Sequence, residues 1–296
     1  MDAKAMDAKI ISAVACVASA QAWDAGAHGW NRHSHIIRTW LEEATAAMLD
    51  SARIAPGNKV LDIAAGAGDQ TLDIARRVGS QGQVLATDIS ATILLWAAEN
   101  ARSAGLHNVS TQVADAQTLG LGGSNFDAAV CRLGLMFCHA PLDALAQARA
   151  ALRPGGRFSA LVFSQPQHNP CIGLMLSTAL RHAGLPPRLP YSPGSLLSLG
   201  QPGLLAQLLK TAGFVDIEVN AVAAPFRLPT SRDYVDFVRT SGTPIMEILA
   251  SLPSDAQRDA WDDMTERLNV FTTPTAWVGP NELLLCGATA PTTSHA

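Results

Sequence analysis

Lys59-Val60-Leu61-Asp62-Ile63-Ala64-Ala65-Gly66-Ala67-Gly68-Asp69-Gln70-Thr71 is the stretch that decides how the chain is read. A short β-branched and apolar run passes through small residues into Leu72-Asp73-Ile74-Ala75-Arg76-Arg77, which reads as a helix. A strand, a tight glycine turn and a helix in that order make a nucleotide-binding start. Small residues let the backbone approach a ligand, and the helix N-terminus offers unpaired N–H groups. Gly66-x-Gly68 has Thr71 where a dinucleotide fingerprint places its third glycine, so the match to a nicotinamide dinucleotide site is poor. Asp62 ends an otherwise apolar strand, where a lone charge is costly without a partner. Either it accepts N–H bonds from the glycine turn or it faces the amino group of an amino-acid-like cofactor. The acids farther along the chain favour the second reading.

Gln83 to Asp88 reads as a second strand ending in an acid, about twenty residues past the glycines, a spacing that suits two ribose hydroxyls. Asp88 is equally at home in an Asx-turn or N-cap into the helix Ala91 to Ala104, where Ser90 also lies. A third strand, Val109 to Val113, leads to Asp115, well placed for an exocyclic adenine amine. Phe126 to Cys131 is a fourth strand, apolar enough to be central. Pro141 starts the helix Leu142 to Leu152, and Arg153-Pro154-Gly155-Gly156-Arg157 turns into a fifth strand, Phe158 to Phe163. Three acids thus end three successive strands, on the edge where open α/β sheets bind ligands.

The bulk composition is compatible with this. The 296 residues are 48% apolar and 16% charged, with a mean hydropathy of +0.15, as in a well-buried globular protein. A net charge of −4 and a pI near 6.0 argue against nucleic-acid binding. The five cysteines, Cys16, Cys131, Cys138, Cys171 and Cys286, form no C-x-x-C pair and fit reduced thiols of a cytoplasmic protein. No apolar run reaches membrane-spanning length. Ile10 to Ala20 has the look of a signal-peptide core, yet Asp2 and Asp7 offset Lys4 and Lys9, so an apolar helix capping the site is the expected role.

Val60-Leu61-Asp62-Ile63-Ala64-Ala65-Gly66-Ala67-Gly68, Ala86-Thr87-Asp88-Ile89-Ser90, Ala114-Asp115-Ala116, Phe126-Asp127 and Leu152-Arg153-Pro154-Gly155-Gly156-Arg157 occur in this order. Together they resemble a class I S-adenosylmethionine-dependent methyltransferase, most similar to the ubiquinone/menaquinone-biosynthesis-like small-molecule group. The resemblance runs from about Trp23 to Val222 and resumes near Asn281 to Gly287. Ala64 departs from it, standing where many members carry a glycine, which is tolerable if its φ is negative. The resemblance implies an α/β, Rossmann-like, seven-stranded, mostly parallel sheet of order 3-2-1-4-5-7-6, the last strand antiparallel, with a helical cap. It also implies roles for S-adenosylmethionine as cofactor. Asp62, Ala64, Gly66 and Gly68 would hold the methionine end, Asp88 with Ile89 the ribose, and Asp115 with Ala116 the adenine. Cys131 and Arg132 would pass beneath the amino group, and Trp30 would close over the carboxylate.

Domain boundaries follow from composition. Residues 1–52 form an N-terminal helical cap segment whose stretch from Trp23 to Trp40 is dense in Trp and His. Residues 53–164 are the cofactor-binding core, 165–200 a proline-broken lid with a helix from Ile172 to His182, and 201–222 core again. Residues 223–276 are a second, mainly helical cap, 277–290 the final strand and 291–296 a frayed tail.

Methyl transfer needs alignment above all, and an enolate or phenolate acceptor also wants a base, for which histidine is the usual candidate. His139, just past the fourth strand, is the first choice and His28 the second. His33 and His35 lack further ligands at metal-site spacing, so no metal is expected. The expected reaction moves a methyl to O or C of a small apolar hydroxylated metabolite. Alternatives are a cyclase or decarboxylase on the same cofactor-binding fold, or an NAD-dependent oxidoreductase. The expected partner is a small molecule, without nucleic acid or a membrane span, and a homodimer is allowed for.

Overall fold

The computed structural model describes residues 20–292. The apolar segment up to residue 19, Cys16 and the last four residues of the tail lie outside the described residues.

The described residues form nine strands in chain order: β1 (Lys59–Ile63), β2 (Gln83–Asp88), β3 (Val109–Val113), β4 (Phe126–Arg132), β5 (Leu152–Phe163), β6 (Val215–Ala223), β7 (Phe226–Leu228), β8 (Trp277–Gly279) and β9 (Glu282–Thr289). Seven form one sheet of order β3-β2-β1-β4-β5-β9-β6. β9 is the seventh of these along the chain and runs antiparallel to both neighbours, while β1 to β5 are parallel. The order and the reversed last strand are those expected. Central strands are apolar on both faces because helices cover both: in β4 every residue but Asp127 is buried. β3 and β6 stand at the edges and carry the polar, exposed residues.

Helical residues 20–32 (α1) precede α2 (Ser34–Ser51), α3 (Asp69–Val78), α4 (Ala91–Ser103), α5 (Pro141–Ala151), α6 (Pro170–His182), α7 (Leu204–Thr211), α8 (Ser231–Ser241), α9 (Thr243–Leu249) and α10 (Ser254–Leu268). α2, α3 and α4 pack side by side on one face of the sheet, and α5 and α7 on the other. Local chemistry explains the boundaries: Pro141 opens α5, and Ser90 Oγ accepts the Ile93 N–H to cap α4. Thr230 and Asp233 close a reciprocal capping box at α8. Buried Arg157 donates to the Ser51 carbonyl and to Thr289 Oγ1, tying the end of α2 to β5 and β9.

α6 packs against α9 and α10, and α8 against both, so the lid and second-cap segments make one helical layer. α1 joins that layer closely: a Cβ on Gly29 would lie 1.8 Å from the Thr240 carbonyl oxygen of α8. Two local expectations need correction. The turn Arg153–Arg157 is a bulge inside β5, where the pairing with β4 slips between Phe126 and Ala128. Phe226-Arg227-Leu228 begins the second cap as a strand, because it pairs with Trp277–Gly279 across buried aromatic rings.

Candidate functional site

The carboxyl ends of β1, β2, β3 and β4 enclose a groove of about 520 Å³, within the usual range for small-molecule sites. Residues Ala64 to Ala67 form one wall, Asp88 and Ile89 the next, Ala114 to Gln117 the far end, and Arg132 to Gly134 the side opposite. Its backbone is unusual. Gly66 has φ 59°, and two side-chain-bearing residues, Ala64 (φ 55°) and Leu133 (φ 58°), also hold the left-handed conformation that favours glycine. The expectation of a negative φ at Ala64 is therefore corrected. The strand register places Ile63 beside Cys131, so the two strained turns leave the sheet together.

Asp88 Oδ2 accepts the Gly66 N–H and Oδ1 the Ser90 N–H, each at 3.0 Å, which fixes the carboxylate at the groove wall. Burial pushes its pKa up against those hydrogen bonds. Asp115 Oδ1 accepts from the Gln117 backbone N–H at 2.9 Å, and the Gln117 side chain bonds the same carboxylate. Both acids keep lone pairs free for a ligand donor.

Asp62 behaves otherwise. It is completely buried and absent from the groove wall, its carboxylate accepting from Thr71 Oγ1 at 2.5 Å and Gln70 Nε2 at 3.1 Å. Its bonds come from these side chains, and no N–H of the glycine turn is among them. Burial raises its pKa to about 6, opposed by Thr71, Gln70 and then Arg132. The acid that does reach the groove there is Asp69, the first residue of α3, bonded by Ser34 Oγ and 3.8 Å from the buried Arg132 guanidinium. Arg132 also donates to Thr45 Oγ1 at 3.0 Å.

A second, smaller cavity of about 90 Å³ lies between the sheet and the helical layer. Trp23, Trp40, Phe163, Phe226, Tyr234 and Phe237 contribute rings to its lining. Among the described residues, no acid, histidine, lysine or arginine lines it, and burial raises the Tyr234 pKa, keeping its hydroxyl protonated. Trp23, Trp30, Leu133 and Phe137 line both cavities, so the groove and the chamber share a wall.

The structure gathers Trp30, Ala64, Gly66, Asp88, Ile89, Asp115, Ala116, Arg132 and His139 around the groove. It leaves four named residues out. Asp62 supports α3 from below. Gly68, with φ 91°, starts α3, and a Cβ on it would lie 3.1 Å from the Ala97 backbone. Cys131 is buried with its thiol near Gly134. His28 is exposed beside Trp96, 5.8 Å between rings, and lines neither cavity. His139 is an exposed rim residue at the Asp115 end of the groove, away from the chamber. His33 Nε2 pairs with Thr240 Oγ1 at 2.9 Å. Asp69, Gln70, Gln117, Leu133, Gly134 and Phe137 line the groove without having been singled out. Asp69 carried a signal, being the acid in the first turn of the helix after the glycines.

Residues 60–156 match the family model described as a methyltransferase domain. The ubiquinone/menaquinone biosynthesis C-methyltransferase UbiE of Teredinibacter turnerae is 38% identical over 122 residues, 41% of this chain and 49% of that one. The chain thus spans about half the length of the curated relatives it matches. Among solved structures, a Bacillus halodurans protein described as a candidate methyltransferase superposes with a TM-score of 0.57 at 18% identity, covering 83% of this chain and 98% of that one. A Haemonchus contortus phosphoethanolamine N-methyltransferase, solved with S-adenosyl-L-methionine, gives 0.53 at 17% identity, covering 88% and 57%. The fold is that of class I methyltransferases, and the sequence is similar to the ubiquinone/menaquinone-biosynthesis group.

Proposed function

We propose that this chain, built around a methyltransferase domain on the class I fold, binds S-adenosylmethionine in the groove. It would pass the methyl group to O or C of a small, apolar, hydroxylated ring compound seated in the chamber. One observation carries the reading: Trp23, Trp30, Leu133 and Phe137 line both the acid-edged groove and the apolar chamber, so two ligands would meet across that wall.

The groove suits such a cofactor. Asp115 would accept the adenine amine and Asp88 the ribose hydroxyls. The left-handed turns at Ala64–Gly66 and Leu133–Gly134 let backbone approach the methionine end. Asp69, facing the groove beside Arg132, is the acid placed to meet the amino group, while Asp62 braces α3 beneath it. When bound, the sulfonium supplies an electrophilic methyl. The chain supplies alignment, and holding two reactants in line can lower a barrier by up to about 7–11 kcal/mol in the best models.

Among the described residues the chamber offers no base, so the acceptor would bring a readily lost proton of its own, as a phenol or an enol does. Its lining would also disfavour a cationic acceptor such as an ammonium, which finds no counter-charge there, whereas a phenolate would face the positive sulfonium across the shared wall. The substrate class is thus a small molecule, with no role for nucleic acid.

Calorimetry with S-adenosylhomocysteine, with NADH as control, tests the cofactor, and transfer of labelled methyl from S-adenosylmethionine to a panel of phenols and quinols tests the reaction. Tight binding with no methyl consumed would favour a cyclase or decarboxylase on the same scaffold. Protection by NADH alone would overturn the reading.

A further inference from the structure

Every hydrogen bond that the Asp115 carboxylate accepts among the described residues comes from Gln117. Asp115 caps a single 3₁₀ turn, Ala116–Thr118, where its Oδ1 takes the Gln117 backbone N–H at 2.9 Å. The Gln117 side chain then doubles back, and its Nε2 lies 3.1 Å from both carboxylate oxygens. The other end of the same amide is used as well, Oε1 accepting the Ala140 N–H at 2.8 Å. These partners force the amide's orientation, because an ionised carboxylate only accepts and a backbone N–H only donates. Ala140 stands at the N-cap of α5, just before Pro141. Gln117 satisfies its N–H as a capping-box Glu or Gln does from within a helix. Asp115, Gln117, His139 and Ala140 all line the groove, so one side chain ties its Asp115 end to the segment that follows β4.

An ionised carboxylate offers about four lone-pair positions. Gln117 fills both on Oδ1 and one on Oδ2, which leaves a single position, on Oδ2, for a ligand. We propose that Gln117 makes Asp115 a reader of one N–H, and so sets the selectivity of the cofactor site for an amino purine over an oxo purine. Resting on the proposed function, this assigns a residue that acts through Asp115 rather than on the base. Adenine presents its exocyclic amine as a donor and N1 as an acceptor. An oxo purine presents an acceptor in place of the amine and moves the donor to N1. A carboxylate free to swing could follow the donor to its new place. One held by Gln117 meets the oxo group instead, and two acceptors face each other unpaired. Gln117 is thus a positioning residue, holding the acid that reads the base.

The test is calorimetry on the full chain with S-adenosylhomocysteine and with S-inosylhomocysteine, in which an oxo group replaces the purine amine. The wild type is expected to bind the first about tenfold or more tightly, the value of a hydrogen bond to a charged group. Gln117→Met, close in length and without a polar end, should lower that ratio about threefold to tenfold, from the usual net value of one hydrogen bond. Gln117→Glu keeps an acceptor for the Ala140 N–H and loses the donor to Asp115, so it should lower the ratio at least as much. In an Asp115→Ala background, Gln117→Met should change the ratio no further. Each ratio is internal to one variant, so a change in overall stability cancels. A ratio untouched by Gln117→Met, or preserved by Gln117→Glu, overturns the proposal. So does an equal loss of affinity for both ligands, the mark of a merely structural tie. An effect that survives in the Asp115→Ala background overturns it too, by putting Gln117 on the base itself. A wild type that binds the two ligands equally overturns the proposal and leaves the cofactor reading intact. Failure to bind S-adenosylhomocysteine at all overturns the reading beneath both.

Discussion

Ala64 and Gly134 meet in the groove wall: a Cβ on Gly134 would lie 2.4 Å from the Ala64 Cβ, and 3.1 Å from the Cys131 sulfur. Ala64 holds φ at 55°, where a side chain is strained by about 1–2 kcal/mol. The two turns that end β1 and β4 are therefore fitted to each other, one methyl filling the place another would need.

Gly134→Ala should destabilise the protein by about 1–3 kcal/mol, the usual cost of forcing a methyl into packed space, and weaken S-adenosylhomocysteine binding. Ala64→Gly alone should be neutral or slightly stabilising, because relief of strain offsets the freer unfolded chain. The double variant should recover most of the Gly134→Ala loss. Thermal melts and calorimetry on the three variants check this, and additive losses would show that the contact is not the cause.

Asp62 sets a pH dependence of definite sign. Its folded pKa is raised to about 6 by burial, above the unfolded value near 4, so the native state holds its proton more tightly across that window. Stability contributed by this group should fall as pH rises from about 4 to about 6, by no more than about 3 kcal/mol. Asp62→Asn removes the titration and keeps a partner for Thr71. The variant should gain on the wild type as pH rises through the window, read as the difference between denaturant unfolding curves at each pH.

Asp88 and Asp115 are assigned to adjoining parts of the proposed cofactor, ribose and adenine, and should fail differently. Asp115→Ala should weaken S-adenosylhomocysteine about tenfold to a hundredfold, the cost of losing a hydrogen bond to a charged group, with little change in melting temperature. Asp88→Ala should weaken it as much and also lower the melting temperature, because the Gly66 and Ser90 N–H groups lose their acceptor. Equal melting curves for the two would count against the role of Asp88 in fixing the turn.

The chamber's lack of a base predicts a pH–rate profile that belongs to the acceptor. Across substituted phenols, the midpoint of the rise in kcat/KM should follow each phenol's own pKa. The same midpoints should appear with His139→Gln, since His139 lies at the other end of the groove. A midpoint that stays fixed across the series would reveal a protein base.

The core was legible because its signals are local. The apolar run Lys59–Ile63, the small residues after it and the acids at Asp88 and Asp115 each declare a strand end, and their spacing declares a parallel sheet. What could not be read depends on direction. Asp62 and Asp69 are acids on either side of the same turn, and only the geometry of β1 and α3 turns Asp69 to the groove and buries Asp62 against Thr71. His28 and Trp30 are two residues apart on α1, so the helix sends one to solvent beside Trp96 and the other to the shared wall. The chamber is written in no single stretch, since its rings come from α1, α2, the turn after β4, β5, β7 and α8, brought together by packing alone.

α1 is pinned at both ends of this arrangement. Asp24 bonds Ser90 Oγ and the Thr92 N–H at the start of α4, Gly29 lies against the Thr240 carbonyl of α8, and Trp23 and Trp30 flank these two anchors. One helix would therefore touch both the proposed cofactor and the proposed acceptor. Whichever arrives first and stills the two indoles spares the other that ordering cost, so the pair should bind cooperatively, and by thermodynamic linkage each should raise the other's affinity by the same factor.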